Sequence, residues 1–309
     1  MKKILLILTS IFFLLACEPG GEAVEEIVSD EKINVVTTVG MLGDMAENIG
    51  GDFINVESLM GPGVDPHLYK ASAGDISKME NADLIFYVGL HLEGKMVEIF
   101  ESLSRTKVVY ALAENLDEAA LLDPQEGQTG SYDPHIWFDV YLWSQTVLAV
   151  SDALIEIDPE NEHFYQYNAE TYIEELLSLD TWVHDQIYLI SDEQKIMITA
   201  HDAFNYFGSA YGMQVEGLQG ISTASEYGLK DLEEMVNLIV DNKLKAIFVE
   251  SSVPTKSIEA LQEGVVAEGW EVVIGGELFS DAMGDPATIE GTYIGMVEHN
   301  VNTIVNALK

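Results

Sequence analysis

The sequence predicts an α/β protein built as two (β/α)4-type lobes joined by one long rigid backbone helix. Three observations carry this expectation. Four short runs rich in β-branched and aromatic residues occur in the first half, at Ile33–Thr38, Phe53–Met60, Asp83–Val88 and Thr106–Ala111. Four more follow in the second half, at Lys195–Ala200, Met213–Leu218, Lys245–Glu250 and Glu271–Gly275. Each run alternates with a stretch of helical character, which is the pattern of parallel βαβ units. Between the two sets lies an uninterrupted helical segment, with no Gly/Ser hinge.

Taken from the N-terminus, residues 1–16 carry Lys2 and Lys3 and then an apolar run from Ile4 to Leu15. That run is well short of the ~20 residues a spanning helix needs, so it reads as a signal peptide. Leu14-Leu15-Ala16-Cys17 resembles the lipobox of bacterial lipoproteins, which makes Cys17 the expected lipidation site. Residues 17–32 are acidic, carry Gly and Pro and lack periodicity, as a tether does. The N-terminal lobe is expected over 33–157 and the C-terminal lobe over 191–309, with the linking helix at 158–190. Asp158-Pro159-Glu160 supplies a cap, a proline at the first helical position and acid in the first turn. Phe164, Tyr165, Tyr172, Ile173, Leu176, Leu177, Val183 and Ile187 then recur at helical spacing. At 1.5 Å per residue such a helix is about 45 Å long and could hold two lobes at a nearly fixed separation.

Composition excludes some partners. Lys+Arg number 14 against 53 Asp+Glu, a formal charge of −39 over 309 residues. Nucleic-acid affinity comes largely from cationic side chains neutralising phosphates, so neither nucleic acid nor an anionic membrane surface suits this chain. A hydrophobic share of 48% leaves ample material for a core, so the acidity decorates a globular protein. It reads as a hydrated surface adapted to high salt ahead of a cation-concentrating field. Cys17 is the single cysteine. With it acylated, disulfides, thiolate nucleophiles and Cys-based zinc sites drop out.

Dinucleotide-binding, P-loop, nucleophile-elbow and HExxH motifs are all missing from the sequence. Two related segments are present instead. Gly63-Val64-Asp65-Pro66-His67 follows the second strand run, and Tyr132-Asp133-Pro134-His135-Ile136-Trp137 follows the long loop after the fourth. A third histidine, His201, directly follows the Lys195–Ala200 run, and Asp281 follows the last one. Loops after strand C-termini carry the ligand site in α/β sheets, so these four residues fall where a cleft opens. Three imidazoles and one carboxylate suit a first-row divalent metal, with zinc favoured over manganese on affinity. His163, His184 and His299 lie in predicted helices and read as surface or packing residues; His91, after the third strand run, is the spare candidate.

The segments GPGVDPHLY (61–69), YVGLHLEGKM (87–96), DPHIWFD (133–139), TAHDAFNYFGSAYG (199–212), GLQGISTASE (217–226), IFVESSVP (247–254) and LFSDAMGDP (278–286) carry a specific resemblance. The chain resembles, from about Ile33 to its end, the metal-binding lipoproteins of zinc and manganese ABC importers (the cluster A-I, or cluster 9, solute-binding family), and most of all their TroA-type members. That resemblance implies a metal site between the lobes held by His67, His135, His201 and Asp281. It implies Zn2+ or Mn2+ as the transported ligand, and an ABC permease with its ATPase as partners. It also implies an extracytoplasmic monomer, periplasmic or at the cell surface and lipid-anchored to a bacterial membrane, that is not an enzyme. Manganese-type relatives tend to carry Glu where His201 stands, which favours zinc. Zinc-specialist relatives often have a His-rich loop before the second ligand, whereas residues 113–132 contain no histidine.

Coordination needs neutral imidazoles, so affinity is expected to fall as pH drops through about 6.5. A zinc-dependent hydrolase is the alternative from another class, with Glu250 as its general base. Four protein donors argue against the open position that catalytic zinc keeps. Glu250 reads better as the hydrogen-bond acceptor behind a ligating histidine. A surface adhesin is a further alternative, supported by exposure alone.

Overall fold

The computed structural model describes residues 32–123 and 132–309. The signal peptide, Cys17 and all of the tether but Lys32 lie outside the described residues, as does the 124–131 part of the histidine-free loop. In the first half, β1 (Ile33–Thr37), α1 (Gly40–Gly50), β2 (Ile54–Ser58), α2 (Ala73–Asn81), β3 (Leu84–Tyr87), α3 (Val97–Leu103) and β4 (Val108–Ala111) alternate. Their four strands form one parallel sheet in the order β2-β1-β3-β4. The inner strands are buried on both faces, Val35, Val36 and Thr37 in β1 and Leu84, Ile85 and Phe86 in β3, as helices on both sides of a parallel sheet require. The edge strand β2 buries Ile54 and then alternates exposed with half-buried positions.

Three helices follow: α4 (Val140–Ser144), α5 (Val147–Ile157) and α6 (Glu162–Ile187). The second half repeats the alternation with β5 (Ile196–His201), α7 (Asn205–Tyr211), β6 (Gln214–Gln219), α8 (Leu229–Asn242), β7 (Ala246–Glu250), α9 (Lys256–Ala267), β8 (Val273–Leu278) and α10 (Tyr293–Leu308). Here the ladders join β5 to β6 and β7 to β8 in parallel. β5 lies against β7, so the spatial order 6-5-7-8 repeats that of the first half. At the ends of these two strands a side chain makes the bridge, His201 N–H donating to Glu250 Oε1 at 2.9 Å. The result is the two-lobe α/β architecture expected.

Two expectations are adjusted. Pro159–Asn161 forms a 3-10 turn, and the α-helix proper covers 26 residues, about 39 Å, rather than 159–190. Asp158 does not cap the turn with its side chain. Its Oδ2 accepts instead from Asn161 Nδ2 and Tyr165 O–H, both at 2.7 Å. Strand β8 continues to Leu278, three residues past the expected end at Gly275. Gly275 and Gly276 look like strand breakers, but they let α10 pack close. A Cβ on Gly275 would lie 2.7 Å from Ala307 Cβ, and Gly276 takes φ +148° beside Thr303. The β7/β8 register shifts between Ile247 and Val249, as a bulge near paired glycines does.

One apolar core runs from the first sheet through α6, which contributes Tyr165, Tyr172, Leu176 and Val183, to α7 and α10 of the second lobe. A separate core lies between the second lobe's strands and α8 and α9. The linking helix is therefore fastened to both lobes by burial. At its junction with α1 and α10, Asp44 Oδ2 accepts from Tyr172 O–H at 3.1 Å and Tyr293 N–H at 3.2 Å. Burial, against those two hydrogen bonds and with help from Glu47, pushes the Asp44 carboxyl up to about 6. A raised carboxyl favours the fold fully below its unfolded value near 3.8, and that contribution is lost as pH rises through 6. Asp44→Asn is thus expected to raise the unfolding free energy of metal-free protein at pH 8 by about 3 kcal/mol while changing little at pH 4. Denaturant titrations at the two pH values check this; a pH-independent difference would refute it.

Candidate metal centre

His67 lies in the loop after β2, and its backbone N–H donates to Asp65 Oδ1 at 2.9 Å. His135 follows an identical turn, its N–H donating to Asp133 Oδ1 at 2.9 Å. Aspartate two residues ahead, with proline between, makes the local side-chain turn that fixes each histidine's backbone. His201 is the last residue of β5, buried like its neighbours. Asp202 then turns the chain and accepts from Gly217 N–H at 2.6 Å. A side chain at Gly217 would overlap His201 and Asp202 backbone atoms, so only glycine lets β6 run past this turn. Asp281 sits in the loop after β8. Trp137 Nε1 donates to Ser280 O at 3.1 Å, and Tyr293 O–H donates to Trp137 O at 2.7 Å, tying the His135 loop to the Asp281 loop.

One ligand-type atom from each of His67, His135, His201 and Asp281 lies within 4.8 Å of the others, and all four residues are buried. Asp281 Oδ2 is 3.7 Å from His67 Nε2 and 3.3 Å from His201 Nε2, and its Oδ1 is 3.4 Å from His135 Nε2. His67 and His135 bring their Nε2 atoms to 3.3 Å. A tetrahedron with metal–ligand bonds of 2.0–2.1 Å has edges of about 3.3–3.4 Å, which the His67–His135 and His201–Asp281 Oδ2 separations fit, whereas the 3.7 Å from His67 to Asp281 Oδ2 is wider. Both Asp281 oxygens and His201 Nε2 are buried without a hydrogen-bond partner. Such atoms are costly to bury unless something else satisfies them, and a divalent cation would.

Protonation follows burial and the carboxylates. Burial drives His67 down to about 3, with Asp281 opposing and the other two imidazoles assisting. At His135 burial also pulls down, but Asp133 and Asp281 outweigh it and leave the ring at about 9. Burial is likewise overcome at His201, which Glu250 and Asp281 hold well above the ordinary range. Asp281, although burial pushes it up, is held well below by His201 and His135. Without metal, His135 and His201 thus hold a proton to higher pH than the ordinary value near 6.5, and His67 loses its proton well below it.

Both of these rings have a carboxylate behind them. Asp133 Oδ1 lies 2.7 Å from His135 Nδ1. Glu250 Oε2 lies 2.6 Å from His201 Nδ1, a short ion contact in which the ring N–H is not aligned as a hydrogen bond. With Oε1 accepting from the His201 backbone N–H, Glu250 stands on the Nδ1 side of the ring, away from Nε2 and the four-residue cluster, and not as a base facing that cluster. The sequence signal for Asp133 is the Asp-Pro-His pattern that it shares with Asp65, two residues ahead of a histidine in each segment. Glu250→Gln is expected to weaken metal affinity about 10–100-fold, the usual cost of losing such a partner. Equilibrium titration checks it, and unchanged affinity would remove Glu250 from the site. The other histidines stay apart. His91 is exposed in the turn after β3, His163 and His184 lie on α6, and His299 packs on Phe279.

Two α/β lobes fastened by a long helix, with a buried three-imidazole, one-carboxylate cluster at their strand ends, define a metal-binding solute-binding protein. The family described as zinc-uptake complex component A, periplasmic (ZnuA), matches residues 35–307, and the chain belongs to that family. The manganese-binding lipoprotein MntA of Bacillus subtilis (strain 168) is 47% identical over 281 residues, covering 91% of each chain. The zinc-binding protein TroA of Treponema pallidum (strain Nichols) is 48% identical over 284 residues, 92% of this chain and 91% of TroA. Against the solved structure of the periplasmic zinc-binding protein TroA from Treponema pallidum the TM-score is 0.87, covering 90% of this chain and 99% of that one. These relatives are named as metal-binding proteins and the family as a component of a zinc-uptake complex, not as enzymes, which sets the hydrolase alternative aside.

Proposed function

We propose that this chain captures Zn2+, or Mn2+, outside the cytoplasm through His67, His135, His201 and Asp281 and delivers it to an ABC permease driven by its ATPase. The observation that carries this reading is the buried convergence of four ligand-type atoms within 4.8 Å. The relatives supply the two metals, since MntA is named for manganese and TroA for zinc at nearly equal identity. The donor set leans toward zinc, which outranks manganese at imidazole-rich sites. In this reading the lobes are 33–157 and 191–309, with 158–190 as a stiff link. Release then involves a local rearrangement rather than wide hinge closure. Signal cleavage and lipidation at Cys17 anchor a monomeric protein to a bacterial membrane. The test is metal analysis of protein purified without chelators, followed by zinc and manganese competition. One ion per chain, with zinc displacing manganese, is expected. Failure to bind either ion would overturn the reading, and so would undiminished affinity in His201→Ala.

A further inference from the structure

The two Asp-Pro-His segments do more than present imidazoles. In each, the first aspartate oxygen is used locally, by the histidine's own N–H. In each, the second is taken by a side chain from the other half of the chain. Thr223 O–H donates to Asp65 Oδ2 at 2.6 Å, and Asn205 Nδ2 donates to Asp133 Oδ2 at 3.1 Å. The pattern therefore provides one tie across the site for each of the two ligand loops of the first lobe.

The two ties differ in how firmly their ends are held. Asn205 begins α7, four residues after His201, and Asp133 is 1% exposed. Tyr206, next along α7, adds a bond from its O–H to Asp133 O at 2.9 Å. Thr223, by contrast, belongs to the 220–228 connection between β6 and α8, which contains neither helix nor strand, and both it and Asp65 are only partly buried. The ligand beside the tie with the less firmly held ends is also the most accessible of the four. His67 is 5% exposed, whereas His135 and His201 are 0% and Asp281 is 1%. In the same loop Gly63, at φ +70°, brings its backbone against Ser251 O of the second lobe, where a Cβ would sit at 3.4 Å. The His67 loop is thus anchored in the first lobe through Leu59, Val64 and Tyr69 and borders the second, and a side-chain hydroxyl ties Asp65 to that lobe's surface loop.

We propose that the Thr223–Asp65 hydrogen bond is a release latch. While it holds, the His67 loop stays closed on the metal. When it breaks, His67 swings away with its loop and the ion leaves by that edge, while His135, His201 and Asp281 remain in place. Thr223 acts as a positioning residue and touches no metal. The assignment rests on the four-ligand reading of the site.

The experiment measures zinc release from full-length protein into excess chelating dye, for wild type, Thr223→Val and Thr223→Ser, with His201→Ala titrated alongside. A hydrogen bond to a carboxylate is worth enough that its loss should speed release about tenfold or more. Thr223→Val keeps the side chain's shape and loses the hydroxyl, so it should release zinc faster with little change in association rate. Thr223→Ser keeps the hydroxyl and should behave like wild type. Amide exchange in residues 220–228 of the metal-free protein should quicken in the Val variant alone. Thr223→Ala provides a second hydroxyl deletion should the Val variant fold poorly. Release from the hydroxyl-deleted variants at the wild-type rate would overturn the latch, as would equally fast release from Thr223→Val and Thr223→Ser. Either result beside a His201→Ala variant that has lost affinity leaves the ligand set standing. Undiminished affinity in His201→Ala would overturn the ligand set and the latch with it.

Discussion

Replacing Asp281 by alanine is expected to lower equilibrium zinc affinity by more than about a hundredfold, beyond the 10–100-fold typical of losing a supporting partner. Asp281 is the one group whose oxygens approach all three rings, at 3.3–3.7 Å from their Nε2 atoms. It is also the only anionic member of the cluster, so without it a dication would be buried against neutral imidazoles alone, at a large desolvation cost. Asp281→Asn separates the two contributions, because it keeps an oxygen of the right reach and removes the charge. The asparagine variant should fall between alanine and wild type. If affinity in the alanine variant matched wild type, Asp281 would not be a ligand. If the asparagine variant matched alanine, charge would outweigh geometry at this corner.

The legibility of this site in the sequence has a physical basis. Side chains in loops after strand C-termini come near one another once the sheet forms, so strand runs followed by a histidine or carboxylate point to the candidates. His67, His135, His201 and Asp281 are all legible from the sequence on that ground, as residues in loops that follow strand runs. The groups that act on them are harder to see. Asp133 contacts His135 through a local turn, and Glu250 reaches His201 from a neighbouring strand, so one is encoded by spacing and the other by sheet order. Asn205 and Thr223 act across the lobes, and no sequence period links Thr223 to a partner 158 residues away. The strand ends show the same limit. Gly275-Gly276 reads locally as a stop, and only the close approach of α10 explains why β8 continues through it. The acidity, conspicuous in composition, has little to do with binding, since a single one of the 53 acidic residues belongs to the cluster.

That surplus of acid also hid a residue on which the fold depends. Within the segment 87–96 the residue that stands out by type is His91, the spare candidate, yet the structural burden falls on Glu93, which is 2% exposed. Its Oε1 accepts from Thr38 O–H at 2.6 Å and Val88 N–H at 2.9 Å, and its Oε2 accepts from Gly89 N–H at 3.2 Å. These bonds join the ends of β1 and β3 and hold a turn in which Gly89, Leu90 and His91 take φ of +89°, +51° and +68°. Left-handed backbone at two successive non-glycine residues costs about 1–2 kcal/mol each and persists only where its surroundings enforce it. Burial raises the Glu93 carboxyl despite the three donors, so the group sits at a desolvation cost that its bonds to the turn offset. Glu93→Ala leaves two backbone N–H groups and a hydroxyl buried without an acceptor, and unfolding free energy should drop by roughly 3–5 kcal/mol. Glu93→Gln keeps the shape and one accepting oxygen and should lose about 1–2 kcal/mol. Denaturant unfolding of the metal-free variants measures both. If alanine and glutamine cost the same, the acceptor oxygens are not what holds the turn. A cost below about 1 kcal/mol for alanine would mean that the left-handed residues are held by their own packing.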